Sequence, residues 1–341
     1  MVNTITGATT RNGINFYSYS DFSYNHELTI SKDGEYAGTV FLQTEPFIVG
    51  GHCMGIFASK NYKTMSDESK LYIAALINKV RPMWAGNDRP SVQKSRLEKL
   101  ELELPFLNNE LVFSYMENYI KALEAERIET LEAYLTVTNL RDYHLTKNDE
   151  KVLDKFAKLS DTKSGVEESE VFRLSQVFNL SSSKKKFNAN MIEFGGKFPY
   201  VARGDSNNGI RGYITESEEF LNSANTISFG QDTATMFYQK EPYFTGDKIK
   251  VLRTKEVELD RYKALYLITS LRKSFSTFSW GSSSFNEKVL KETDVKLPIK
   301  NNQIDYTFMS DFIRAVEKLV IKDLVIWADK KIATTKEVVA R

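Results

Sequence analysis

The side chains able to do chemistry are few and scattered in this chain of 341 residues. Metal-assisted cleavage of a phosphodiester needs carboxylates and a lysine around a divalent cation, for which Pro-Asp followed by Glu-x-Lys is a common form. Glu68-Ser69-Lys70 is the one such triplet, and no Pro-Asp exists. At the start of a predicted helix, it reads as a solvated turn. His26, His52 and His144 lack the spacing of metal ligands, and His52 beside Cys53 offers two ligands at most. Adenine methylation requires a glycine-rich loop for S-adenosylmethionine and an Asn/Asp-Pro-Pro-aromatic motif for the flipped base. Neither occurs, and no two prolines are adjacent. No nucleophile triad or phosphate loop is recognisable, which favours a non-enzyme.

The remaining polar residues suit recognition, where donors and acceptors meet base edges and cations meet phosphates. Arg203, Asn207, Asn208 and Arg211 form one candidate loop, with Thr9, Thr10, Arg11 and Asn12 as its counterpart. Asn-Gly in each is equally a plain turn signal. A second region holds Lys79, Arg81, Trp84, Arg89, Lys94 and Arg96, matched later by Arg272, Lys273, Phe278, Trp280 and Ser282. The tryptophans serve as well as core anchors. Lys184-Lys185-Lys186 suits phosphate contact or an ordinary solvated charge run.

Composition narrows the setting of any such contact. Lys plus Arg is 46 against 45 for Asp plus Glu, so a net charge of +1 provides no global field and a DNA-binding surface must be local. The single cysteine excludes an internal disulfide and suits a reducing compartment. No secretory signal or membrane-length apolar run is present, so the expectation is a soluble, cytoplasmic protein with no membrane contact.

The chain contains an internal duplication. Leu104 to Leu135 matches Leu297 to Ala328 without a gap, pairing Pro105 with Pro298, Met116 with Met309 and Tyr134 with Trp327. Earlier blocks match in the same order: Asn12-Gly13-Ile14 with Asn208-Gly209-Ile210, Gln43 with Gln239, and Glu45-Pro46-Phe47 with Glu241-Pro242-Tyr243. Thr29-Ile30-Ser31 aligns with Thr226-Ile227-Ser228, and Leu71-Tyr72 with Leu265-Tyr266. Each copy has a β-rich part, a predicted helix (67–79 or 260–273), a Trp- and Ser-containing loop, a Leu-Pro turn and a long helix. Those long helices are predicted over 113–137 and 308–332, with another over 147–159 and a linker at 161–165. Met116, Ile120, Leu123 and Leu131, with Met309, Ile313, Val316, Val320 and Leu324 in the copy, predict one buried stripe per helix. About 25 residues at about 1.5 Å each span roughly 37 Å, close to the roughly 34 Å of one B-DNA turn. Antiparallel packing of the pair would set the two domains one turn apart.

Lys197-Phe198-Pro199-Tyr200-Val201-Ala202-Arg203, Asn207-Asn208-Gly209-Ile210, Asn225-Thr226-Ile227-Ser228-Phe229-Gly230, Trp280-Gly281-Ser282 and Lys296-Leu297-Pro298-Ile299, in that order, resemble a known family. They resemble the target-recognition domain of type I restriction-modification specificity subunits, and Ile5 to Ile14 echoes it. Chain length and the ending Trp327-Ala328-Asp329-Lys330-Lys331-Ile332 look closest to the small subunit of BcgI-type (type IIB) systems. The resemblance implies an α+β chain with two similar target-recognition domains on long spacer helices. The expected boundaries are 1–112 for a first domain that is N-terminally short, 113–165 for a helical spacer, 166–307 for the second domain and 308–341 for a C-terminal spacer. The second domain has a lead-in, from Val171 through Asn188, that the first lacks. The implied function is reading a bipartite site in double-stranded DNA. A methyltransferase, or a fused methyltransferase-nuclease, would do the chemistry and hold the S-adenosylmethionine and magnesium; this chain needs no cofactor or metal. Residues expected to touch DNA are Thr10, Arg11, Asn12, Arg81, Arg89, Lys185, Arg203, Asn207, Asn208, Arg211, Arg272 and Lys273. The alternatives are a DNA-cleaving enzyme with an unrecognised metal site and a helical protein that binds only polypeptides.

Overall fold

The computed structural model describes residues 1–62, 65–81, 91–160, 169–276 and 286–339. They form two units, Met1–Tyr134 with Lys330–Arg341, and Leu135–Asp329. The division therefore falls within the long helices. Arg89, Trp84, Phe278, Trp280, Ser282 and the linker at 161–165 lie outside the described residues.

In the first unit, β1 (Val2–Ile5), β2 (Ile14–Ser18), β3 (Glu27–Ser31), β4 (Val40–Gln43), β5 (Phe47–Val49) and β6 (Cys53–Ile56) make two three-stranded sheets. Their orders are β2-β1-β5, in which β5 is parallel to β1, and β4-β3-β6, which is antiparallel. Helix α1 (Asp67–Val80) starts where the Ser66 hydroxyl accepts from the Ser69 amide, with Asp67 and Glu68 in its first turn. Ala74 and Ile77 then pack on Leu28, Ile30, Val40 and Leu42. After the short α2 (Lys94–Leu97) and the hairpin of β7 (Phe106–Leu107) and β8 (Glu110–Leu111) comes α3 (Phe113–Val137).

The second unit contains α4 (Lys147–Ser160), β9 (Ser169–Arg173), α5 (Leu174–Val177), β10 (Phe178–Ser182), β11 (Phe198–Val201), β12 (Ile210–Ile214), β13 (Thr226–Gly230), β14 (Met236–Gln239), β15 (Phe244–Thr245) and β16 (Ile249–Thr254). Next come α6 (Arg261–Phe275), α7 (Glu287–Glu292), β17 (Asp294–Lys300), β18 (Gln303–Ile304) and α8 (Tyr306–Val339), which straddles both units. The sheets β12-β11-β15 and β10-β16-β13-β14 reproduce those of the first unit, and the lead-in adds β10 to one and β9 to the β18-β17-β9 sheet. Even the irregularities repeat: the ladder shifts at Thr4/Ile5 in one unit and at Tyr200/Val201 in the other. Asn108 and Asn109, and again Asn301 and Asn302, take positive φ at the tips of the late hairpins, as a tight two-residue turn demands. Tyr72 of α1 meets Tyr115 and Tyr119 of α3, as Tyr266 of α6 meets Phe308 and Phe312 of α8.

The structure moves several sequence expectations. Glu27 pairs with Gln43 and Thr226 with Gln239, so Thr29 is the equivalent of Ser228, not of Thr226. A slip of two residues keeps every strand side chain on its face, which is why the burial pattern could not reveal it. The predicted stripes are only partly buried: Met116, Ile120, Ile128 and Leu135 face inward on α3, and Met309, Ala315, Val325 and Ala328 on α8, while Leu123, Val320 and Leu324 are exposed. Helix α8 begins earlier and runs further than the predicted 308–332. Leu297-Pro298 is no turn but lies inside β17, where the ladder to β9 ends at Pro298 and that to β18 starts at Ile299. A proline is tolerated at this changeover because its missing N–H falls between the two ladders. Lys70 is not solvated: it is buried, ion-paired with Glu27 and donates to the His26 carbonyl.

Within the second unit, α8 is tied to the chain that leaves α3. Asp329 meets Arg141 at 2.6 Å, and further back on α8 the Lys318 ammonium donates to the His144 carbonyl at 3.0 Å and the Asp149 carboxylate at 2.9 Å. These two segments therefore run antiparallel. Burial opposes ionisation of Asp149, but donation from Thr146 and Lys318 holds its carboxyl below the usual range. We expect Asp149→Asn to cost about 1–3 kcal/mol at pH 7. Because the folded-state pKa is the depressed one, this stability is present above the unfolded pKa and vanishes as pH falls through the folded value. Denaturant unfolding should show the two proteins converging at acid pH; a gap of equal size at pH 7 and pH 2 contradicts the assignment.

Candidate nucleic-acid interface

Both candidate loops are built by the same backbone. Strand β1 ends in a bulge, and the chain returns through Thr10-Arg11-Asn12-Gly13 into β2, with Gly13 N–H donating to Thr10 O and Thr6 N–H to Gly13 O. Ser206-Asn207-Asn208-Gly209 repeats this between β11 and β12, Gly209 donating to Ser206 O and Ala202 to Gly209 O. Three successive residues take positive φ in each turn: Arg11, Asn12 and Gly13 at 52°, 54° and 79°, and Asn207, Asn208 and Gly209 at 48°, 53° and 71°. Asparagine and glycine tolerate that region, whereas arginine does not favour it, at a cost of roughly 1–2 kcal/mol. Thr10, Arg11 and Asn12 point to solvent, as do Arg203, Asn207, Asn208 and Arg211. Beneath each turn a buried glutamine, Gln43 or Gln239, donates to the carbonyl of its central asparagine.

In the second unit the turn borders a cavity of ≈ 760 Å³ lined among others by Lys186, Tyr200, Arg203, Ser206, Arg211 and Asp247. The Asp232 carboxylate lies 2.6 Å from Arg203 and 2.8 Å from Lys248, so one anion holds two cations. The hydrogen bond from Lys186 keeps the Asp247 carboxyl below its usual range. Tyr200 donates to the Phe187 carbonyl at 2.8 Å, and burial pushes its phenol up. Among the charged residues lining the cavity, Lys186, Arg203 and Arg211 stand against Asp247, on a chain whose net charge is only +1.

Other expected contacts sit elsewhere. Lys185 is exposed, its ammonium 4.8 Å from the Phe187 ring centre and 4.3 Å from that of Phe220. Arg81 donates to the Glu35 carbonyl and lies over the Tyr36 ring. Arg272 stands where the first unit has Asn78: Asn78 bonds both backbone groups of Val40, and Arg272 donates to the Met236 carbonyl at 3.4 Å. That gives Arg272 a strand-anchoring use. Lys273 is exposed, and neither it nor Arg272 lines the cavity. Asp232, Lys248 and the glutamines' role were missed; charge count alone does not reveal which carboxylate meets which cation.

Each histidine pairs with a nearby aspartate, His26 with Asp67, His52 with Asp33 and His144 with Asp142. Cys53 is buried, and burial pushes its thiol up to about 11, away from the reactive thiolate. Among the described residues, no group of three or more His, Cys, Asp or Glu is placed to hold a metal. None of the described helices is long and apolar enough to cross a membrane.

The model of the type I restriction modification DNA specificity domain matches residues 2–133 and, a second time, 166–325. The chain belongs to this family. It is 23% identical over 322 residues to the specificity subunit S.BcgI of a type II restriction enzyme from Heyndrickxia coagulans, covering 93% of this chain and 86% of that one. In fold it is like the S subunit of a type I restriction-modification system from M. genitalium, with a TM-score of 0.54, 16% identity and coverage of 99% and 86% of the two chains. Each specificity domain thus carries one of the two turns.

For a DNA-reading domain, the charge pattern makes opposite predictions for two substitutions. Lys185→Ala should weaken binding to all duplexes alike and make the slope of log K against log salt shallower by about 1. Asp232→Asn, which releases Arg203 and Lys248, should strengthen binding at low salt and steepen that slope. Salt titrations of fluorescent duplexes measure both, and matching shifts of one sign would contradict the assignment.

Proposed function

We propose that this chain recognises a bipartite DNA sequence, one half per specificity domain, and directs a partner subunit that does the chemistry. The observation that carries the reading is the same exposed, left-handed turn in both domains, bearing different side chains. Arg11 faces solvent where the second domain has Asn207, and Asn15 where it has Arg211. Bidentate arginine–guanine and asparagine–adenine pairs are the natural use of such groups in the major groove. Partner binding is supported by apolar side chains left exposed on the long helices: Tyr115, Tyr119 and Leu123 of α3, and Leu319, Val320, Leu324, Ile326 and Trp327 of α8. That partner, a methyltransferase or a fused methyltransferase-nuclease, would hold S-adenosylmethionine and magnesium and work beside this chain in the cytoplasm.

Binding selection from randomised duplexes, followed by competition with duplexes altered in one half-site, tests this reading. Arg203→Ala or Asn208→Ala should reduce discrimination in one half only, by about 1–3 kcal/mol for a lost bidentate pair. Loss in both halves from the Asn208 substitution alone would refute the assignment of one half-site to each domain. Four residues inserted into α3 should change the number of base pairs between the half-sites or abolish binding. Unchanged spacing and affinity after that insertion would remove α3 from any role in setting the spacer.

A further inference from the structure

We propose that Gln43 and Gln239 are positioning residues for sequence discrimination, each fixing the exposed turn of its own domain; this rests on reading those turns as the base-contacting elements. Both amides are buried, with 3% and 4% of the residue exposed, so neither glutamine touches DNA itself. The Gln43 Nε2 donates to the Asn12 carbonyl at 2.8 Å and to the Thr29 hydroxyl at 2.9 Å. In the other domain Gln239 Nε2 donates to the Asn208 carbonyl and to the Ser228 hydroxyl, both at 3.0 Å. Those hydroxyls donate onward to the Phe41 and Phe237 carbonyls. Both protons of each amide are thereby used.

The geometry joins two sheets. Gln43 ends β4 in the β4-β3-β6 sheet, while the turn it grips connects β1 and β2 of the other sheet; Gln239 ends β14 and grips the β11–β12 turn in the same manner. Its acceptor belongs in each case to a residue at positive φ, within a backbone conformation that needs outside support. The exposed positions have diverged between the domains, Arg11 against Asn207 and Asn15 against Arg211, while the buried clamp keeps glutamine in both and a hydroxyl in both, Thr29 or Ser228. Both copies aim the amide at the same kind of acceptor pair, a turn carbonyl from one sheet and a strand hydroxyl from the other. Two reading heads with different faces need one rigid mount, and the clamp supplies it.

The test uses the full-length chain and a pool of duplexes with randomised cores, selected by binding and sequenced. Gln239→Leu should flatten the selected motif in one half-site, with about a tenfold loss of preference between the best and next base, the size expected when a buried hydrogen bond is broken. Affinity for the unselected pool should change little, because phosphate contacts carry it. Gln43→Leu should flatten the other half-site, and Ser228→Thr, which installs the hydroxyl of the first domain, should leave the motif intact. Should the leucine variant not fold, Gln239→Asn decides: one methylene shorter, it keeps an amide in the core but withdraws it from Asn208, and the same flattening is expected. Arg203→Ala and Asn208→Ala run in parallel. If they flatten the motif while the folded glutamine variants preserve it, the clamp proposal falls and the turns remain the readers. If neither the turn nor the glutamine variants alter the motif, the reading of the turns fails and the clamp with it.

Discussion

A backbone that takes three successive residues through positive φ is unfavourable for anything but glycine and asparagine, and in each specificity domain backbone hydrogen bonds and a buried glutamine hold one such turn in place. The first domain accepts the cost at Arg11, a residue without a side chain suited to that region. Backbone hydrogen bonds across the turn oppose the strain from within, and the glutamine opposes it from below. Two small sheets are needed because one carries the turn and the other carries the clamp. The parallel β1–β5 and β11–β15 pairs, the shared ladder shift and the helix docked on the second sheet are the frame that brings the two together.

Function follows from what that frame leaves outside. The two domains share a strand frame although buried side chains differ, as where Cys53 stands in place of Ile249. The outward-facing residues of the turns differ as well, at positions where substitution costs little stability. A net charge of +1 means that attraction to DNA depends on placement. In the second domain, Asp232 pairs with Arg203 and Lys248, and Asp247 with Lys186, so two of the cations lining the cavity, Arg203 and Lys186, are held by carboxylates.

Much of this was legible in the sequence, for physical reasons that also mark where legibility ends. The starts of α1 and α4 follow from the capping hydroxyls of Ser66 and Thr146, which act locally, and α3 runs over the predicted 113–137. The duplication was readable because turns need particular residue types, and Asn-Gly and Glu-Pro survive in both copies. The alignment of Thr29 with Thr226 failed because strand periodicity is blind to shifts of two, and only the pairing with Gln43 and Gln239 fixes the register. Spacing alone also overfilled the helical stripes, since it marks Val320 and Leu324 as apolar without saying whether a neighbour covers them. Arg81 and Arg272, expected from their type to touch DNA, also donate to carbonyls of their own domains, a use that residue type does not reveal. Gln43 and Gln239 were paired in the sequence as a match, but a buried amide announces its partner only once two sheets are folded together.

Hydrogen–deuterium exchange of the full-length chain, with and without its selected duplex, reads out whether both left-handed turns meet DNA. Slowed exchange is expected in peptides covering 6–13 and 202–211, and altering one half-site of the duplex should abolish protection at one turn and spare the other. Protection confined to the exposed faces of α3 and α8, with both turns exchanging at the free rate, would contradict it.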